Sequence, residues 1–190
     1  MADFPHPARF HLPTITSYSR ESGLNVASGR PYTLPATAGT AHVMPTANLA
    51  FLVPFVIWTP YLVRAVFWPN GATTSGNVDL GVYGEDVTEL LFNAGTTAQS
   101  GASAPQTVAV GPYLLVPGTY YMALVSSGTT GTFLGCGTNI TMQALEAGGC
   151  AQAANGSLPL AASQTLAAPS SFGGVVAPLF GISSRVSTLI

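Results

Sequence analysis

Charge is what this 190-residue chain has least of: 6% of its residues are Asp, Glu, Lys or Arg, against roughly 25% in ordinary soluble domains. So thin an ionic surface does little to keep neighbouring copies apart, and much of the surface is expected to be covered by other protein. Lysine is absent altogether, and the five arginines are dispersed along the chain. Without a basic cluster no counterion release can hold a phosphate backbone, so nucleic acid is not expected as a partner. Long apolar runs are also missing. The one candidate, Leu49 to Val63, is interrupted by Pro54 and Pro60 and ends at Arg64, short of the roughly 17 residues a spanning helix needs. It reads as a buried strand pair, and no membrane contact is expected. Met1 to Pro7 has neither the basic start nor the apolar stretch of a secretory signal.

Cysteine is nearly absent. Cys136 and Cys150 either close one loop, worth roughly 3 kcal/mol on the chain-entropy estimate, or remain two reduced buried thiols, as a chain without an export signal favours. The three histidines, His6, His11 and His42, all precede the strand-like part of the chain, away from the rigid positions that a base or a zinc ligand requires. Neither Gly-x-Ser-x-Gly nor His-Glu-x-x-His occurs, and a serine without a base is a turn residue. No catalytic set, metal site or cofactor is expected.

What is present is β-strand patterning. The organising stretch runs from Gly76 to Ser126. In it Val78, Leu80 and Val82 alternate with Asp79, Gly81 and Tyr83, giving one apolar and one mixed face, as in a half-buried strand. Pro117-Gly118 supplies a turn. After it Tyr120, Met122 and Leu124 point one way and Tyr121, Ala123 and Val125 the other, so this strand is apolar on both faces and central. Phe51–Ile57 and Tyr61–Trp68 read as two further strands, the first at an edge or ending there because Pro54 cannot donate to a ladder. Arg64 shares a face with Leu62 and Val66, as a rim residue or an internal ion partner. Asn70-Gly71 reads as a turn, and short strands are expected near Thr88–Phe92, Gln106–Val110, Thr132–Leu134, Asn139–Gln143 and within Val175–Ile182. Gly95–Pro105 is a polar loop, and Ala144–Ala168 is loop or extended arm. The fold class is all-β, an antiparallel β-sandwich of jelly-roll type with an extended N-terminal arm.

Residues 1 to 47 carry six prolines and no apolar period. They are read as an extended docking arm on the jelly-roll sandwich of residues 48 to 190, whose C-terminal part is irregular. Phe4, Phe10, Leu12 and Ile15 are its apolar anchors, each worth roughly 1.5–3 kcal/mol if fully buried on a neighbouring subunit. Elsewhere the acidic residues gather: Glu85, Asp86 and Glu89 lie in one turn after Asp79. They form either a solvated turn or an oxygen-ligand cluster, and two such carboxylates across a cleft are also what glycoside hydrolysis needs. Tyr83 adjoins that turn and is either packed in the core or a stacking face for a sugar. A glycan contact would use Tyr83 with Asp79, Glu85 and Asp86.

Three blocks, Asn48-Leu49-Ala50-Phe51-Leu52-Val53-Pro54-Phe55, Gly76-Asn77-Val78-Asp79-Leu80-Gly81-Val82-Tyr83 and Leu115-Val116-Pro117-Gly118-Thr119-Tyr120-Tyr121-Met122-Ala123-Leu124, resemble successive blocks of jelly-roll structural proteins of tailed-bacteriophage virions. The closing Pro178-Leu179-Phe180-Gly181-Ile182 is similar to the ends of such chains. The resemblance covers Ala41 to Ile190. It implies a non-enzymatic subunit on the virion surface, a capsid decoration or head-fibre protein, whose partners are copies of itself, most simply as a trimer, and other virion proteins. The alternative it leaves open is a tail or baseplate appendage that binds host-surface glycans.

Overall fold

The computed structural model describes residues 25–27, 30–32, 41–44, 46–135, 151–152, 156–166 and 180–184. Among them every regular element is a strand. In chain order these are β1 (Asn25–Ala27), β2 (Arg30–Tyr32), β3 (Ala41–Val43), β4 (Phe51–Ile57), β5 (Tyr61–Pro69), β6 (Asn77–Tyr83) and β7 (Leu90–Asn93). There follow β8 (Thr97–Ala98), β9 (Pro105–Leu115), β10 (Gly118–Ser126), β11 (Thr132–Leu134), β12 (Ala151–Gln152) and β13 (Gly181–Ser183). All pairings are antiparallel. One sheet has the order β2-β1-β13-β5-β9, a second β12-β4-β10-β6-β7 with β8 also on β6, and β3 pairs β11 in a small third sheet.

The two large sheets face each other across one core. Phe51, Val53, Phe55 and Ile57 of β4, Val78, Leu80 and Val82 of β6, and Tyr120, Met122 and Leu124 of β10 meet Val63, Val66 and Trp68 of β5 and Ile182 of β13. Aromatic pairs cross this layer: Phe51 meets Phe180 edge-on at 6.1 Å, and Phe92 stacks on Tyr113 at 4.5 Å between centroids. β10 lies between β4 and β6, the central position its two apolar faces require. Ala123 and Val125 on its other face are as fully buried as Met122 and Leu124.

Local expectations and outcome meet or part at particular residues. Pro54 pairs with Tyr121 of β10, and on its far side β12 reaches only Phe51 and Leu52; the strand is internal at its start and an edge at its proline, so no ladder donor is missing. Arg64 and Val66 do not share a face, because the register between β5 and β9 shifts between Val63 and Ala65. That irregularity turns Arg64 to solvent and Val66 into the core. Within the span read as an arm, β1 and β2 extend the sheet through β13 and β3 pairs with β11. These short stretches lack an apolar period because they are strands completed by backbone pairing.

Asn70-Gly71 is no hairpin turn. The chain passes from one sheet to the other here, and the Asn70 side chain is buried as an anchor for the loop between β8 and β9, its Nδ2 donating to the carbonyls of Ser100 and Gly101; the span read as one polar loop, Gly95–Pro105, thus holds β8 and opens β9. Gln99 donates through Nε2 to Asn70 Oδ1 and to the Thr132 carbonyl, both at 3.0 Å, while its Oε1 accepts from Ser75 N–H. Any side chain on Gly131 would collide with that Oε1. Gln99→Ala removes three hydrogen bonds and leaves the Asn70 and Thr132 oxygens without this donor; urea unfolding is expected to show a loss of about 2–4 kcal/mol. A loss under half of the lower figure would show that the amide tie is peripheral to stability.

Candidate functional site

The face of β6 opposite the core carries Asp79, Gly81 and Tyr83, and the segment 156–166 crosses it as a strap. Leu160 N–H donates to Asp79 Oδ2 at 3.0 Å, and Asn93 Nδ2 of β7 donates to the same oxygen at 2.6 Å. Tyr83 donates its hydroxyl to the Ala161 carbonyl and accepts from Gln164 Nε2 at 3.1 Å. Backbone bonds flank these contacts: Leu90 N–H to the Ala162 carbonyl and Gln164 N–H to the Val87 carbonyl, each 2.8 Å. Beneath them lies a second apolar cluster of Ala50, Leu52, Tyr83, Val87, Ala123, Val125 and Leu160.

Gly81 makes the close approach possible. A Cβ there would sit 2.7 Å from the Phe92 carbonyl oxygen and 2.9 Å from Asn93 Cβ of β7, and 3.0 Å from Leu160 Cδ1 of the strap, so a larger residue would force β7 to shift and crowd Leu160. Val87 holds φ at 56°, left-handed backbone that costs a β-branched residue roughly 1–2 kcal/mol. Its side chain is buried and its carbonyl is bonded to the strap, and together these hold it there.

The electrostatics are those of a closed polar layer. Burial pushes the Tyr83 phenol up to about 12, opposed by the Gln164 hydrogen bond and reinforced by the negative charge of Asp79. The phenol therefore stays protonated near neutral pH, as a donor rather than a base. Asp79 Oδ1 and Gln164 Oε1 are buried without a hydrogen-bond partner among the described residues. Both side chains are fully buried and act as fastenings for the strap.

This geometry divides the four residues read as a glycan contact. Tyr83 and Asp79 are fully buried, while Glu85 and Asp86 are exposed in the turn that follows. The tyrosine ring offers no stacking face, because the strap covers the side that the sequence leaves open. Asp86 accepts from Thr88 N–H at 3.1 Å, and bonds to Thr88 hold its carboxyl below the usual range; it caps its own turn. Among the described residues no three His, Cys, Asp or Glu side chains gather as a metal would require. Phe4, Phe10, Leu12, Ile15, Cys136, Cys150, His6 and His11 lie outside the described residues. The partners Leu160, Ala161 and Gln164 were not anticipated from sequence. The one local signal was Gly81, since a glycine inside a strand marks close approach by a neighbour, here the Phe92 carbonyl of β7 and the Leu160 side chain.

His42 occupies β3, opposite Phe133 of β11. Its Nε2 is buried and unpartnered among the described residues, and burial holds its pKa below 6.5. The unfolded chain then binds the proton at higher pH than the folded one. The stability tied to neutral His42 is complete above 6.5 and is lost as pH falls from there through the lowered value. Thermal unfolding on either side of that pH is expected to show a fall on acidification that His42→Gln lacks; an equal fall in both proteins would assign it to other groups.

For the strap, Asp79→Ala strands two donors and is expected to cost about 2–4 kcal/mol. Tyr83→Phe, which keeps the ring, is expected to cost about 1–2 kcal/mol. Both should speed protease cleavage within 156–166 before global unfolding. Unchanged denaturation midpoints in both variants would show that the strap does not fasten the sheet.

No family model matches this chain, and a search of curated protein sequences finds no match either.

Proposed function

We propose that this chain is a structural subunit of a bacteriophage virion surface, a capsid decoration or head-fibre protein without a catalytic role. It would dock on the particle through the part of its N-terminal arm that carries Phe4, Phe10, Leu12 and Ile15. The observation that carries this reading is where the three resembling blocks fall. They supply β4, β6 and β10, and these strands are immediate neighbours in one sheet, in the order β4-β10-β6.

The pairing pattern supports the jelly-roll part of the reading. β4 pairs β10, β5 pairs β9, and β6 pairs both β7 and β8. These pairs nest inside one another, as in a single long hairpin rolled up so that its ends meet, and the β10–β6 pairing closes the roll. The strand order lacks the innermost pair of an eight-stranded roll, and β13, β1 and β2 widen the sheet on the opposite side of β5.

A chain with 6% charged residues suits a subunit that spends its life against other protein. The glycan-binding alternative has less support, since two of its four residues, Tyr83 and Asp79, are enclosed.

Peptide mass spectrometry of density-gradient-purified particles tests the proposal. Particles assembled with the full-length chain are expected to carry it, whereas a version beginning at Gly23, which retains β1 and β2, should fold but be missing from them. Absence of the full-length chain from purified particles would falsify the virion assignment, and equal incorporation of the shortened version would remove the arm from docking.

A further inference from the structure

One end of the sandwich is bare of charge and rich in exposed apolar side chains. There the β4–β5 turn, Trp58-Thr59-Pro60, lies beside the β9–β10 turn, Val116-Pro117, because Ile57 pairs with Gly118 and Tyr61 with Leu115. Trp58 is 83% exposed, Leu114 62% and Val116 55%, with Val56 and Leu62 also open to solvent. Leu62 and Leu114 are direct cross-strand partners. The β9–β10 turn is well held: Tyr120 donates its hydroxyl to the Val116 carbonyl at 2.8 Å. Its apolar side chains are thus presented by a fixed frame.

We infer that this end is where copies of this chain meet, each Trp58 being covered by the equivalent end of a neighbour; the inference rests on the assembly reading above and names its surface. Three features favour a second copy as the occupant. The first is area. Trp58, Leu114 and Val116 each expose more than half of their surface, an apolar patch on the order of a few hundred Å², the size at which an exposed patch marks an interaction site. The second is charge. No Asp, Glu, Lys or Arg occurs from Phe51 to Val63 or from Leu90 to Leu145, so two identical ends meet without like-charge repulsion. A lipid surface, by contrast, is held by basic residues around the apolar contact, and Arg64 is the single cation on these strands. The third is continuity. β9 is the outermost strand of its sheet, and its exposed residues 111–114 run from the free edge into the patch, which gives a neighbour a longer seat than the turns alone.

The full-length protein provides the test. Sedimentation velocity across a dilution series is expected to show a dimer or trimer dissociating to monomer. Trp58→Arg and Leu114→Arg together should abolish it, and Trp58→Arg alone should weaken association on the order of thirtyfold or more. Because both side chains are exposed, circular dichroism and melting temperature should match those of the parent, so loss of assembly cannot be loss of fold. An oligomer that survives the double substitution overturns this inference and leaves the virion assignment intact. A parent that stays monomeric throughout overturns the inference as well, and its absence from purified particles would then sink the assignment separately. Flotation of the parent, but not the double variant, with phosphatidylcholine vesicles would make the patch lipid-facing and overturn the second-copy assignment.

Discussion

The structure depends on a sheet that must be covered twice. β10 and β6 present full apolar or close-packed rows on both faces, and a sheet of this kind is stable only when each face is withdrawn from water. One face is covered by the opposing sheet through Val66, Trp68, Phe180 and Ile182. The other is covered by the 156–166 strap, which adds Leu160 to the cluster around Ala123 and Val125. Asp79 and Tyr83 follow from this arrangement. A backbone laid across a strand brings N–H and C=O groups into an apolar layer, where each needs a partner. The carboxylate accepts the Leu160 N–H and the phenol donates to the Ala161 carbonyl, so the two polar residues of the mixed face make the second covering possible.

The same economy of charge shapes both ends of the sandwich. At one end the loop between β8 and β9 is anchored by neutral amides, Asn70, Gln99 and Gln106, through donors and acceptors matched to backbone carbonyls and N–H groups. Neutral amides satisfy buried backbone without the desolvation cost that an ion pair carries, which suits a chain with few ionic groups to spare. At the other end, Trp58 and its neighbours are exposed, with no covering among the described residues. An isolated monomer gains nothing from an exposed tryptophan between two paired strands, while an assembling subunit gains its most effective contact residue. The proposed role as a surface subunit, and the seat proposed for a neighbouring copy, draw on this contrast between a closed interior and an open end.

Much of the fold was legible in local pattern. The bounds of β4 and β11 and the central place of β10 follow from alternation and apolar content; the turn read at Pro117-Gly118 falls one residue earlier, at Val116-Pro117, with Gly118 already paired in β10. The candidate site was half legible. Tyr83 and Asp79 stood out as a polar face beside an acidic turn, but alternation says only that two faces differ, and does not say what lies against the second. Arg64 shows the same limit at smaller scale: one irregularity in pairing between β5 and β9 reverses the alternation, and the pairing belongs to both strands.

The sequence by itself determined that this protein is all-β, that one strand is buried on both sides, and that its surface is nearly uncharged, because these depend on composition and on a two-residue period carried within each segment. Only the tertiary structure decided that Tyr83 is enclosed rather than displayed, that Asn70 is an anchor rather than a turn, and that Trp58 is left bare. Those outcomes rest on partners far away in the chain, 81 residues for the bond from Leu160 to Asp79 and 29 for the one from Gln99 to Asn70. No local period encodes which distant backbone will come to lie across a face.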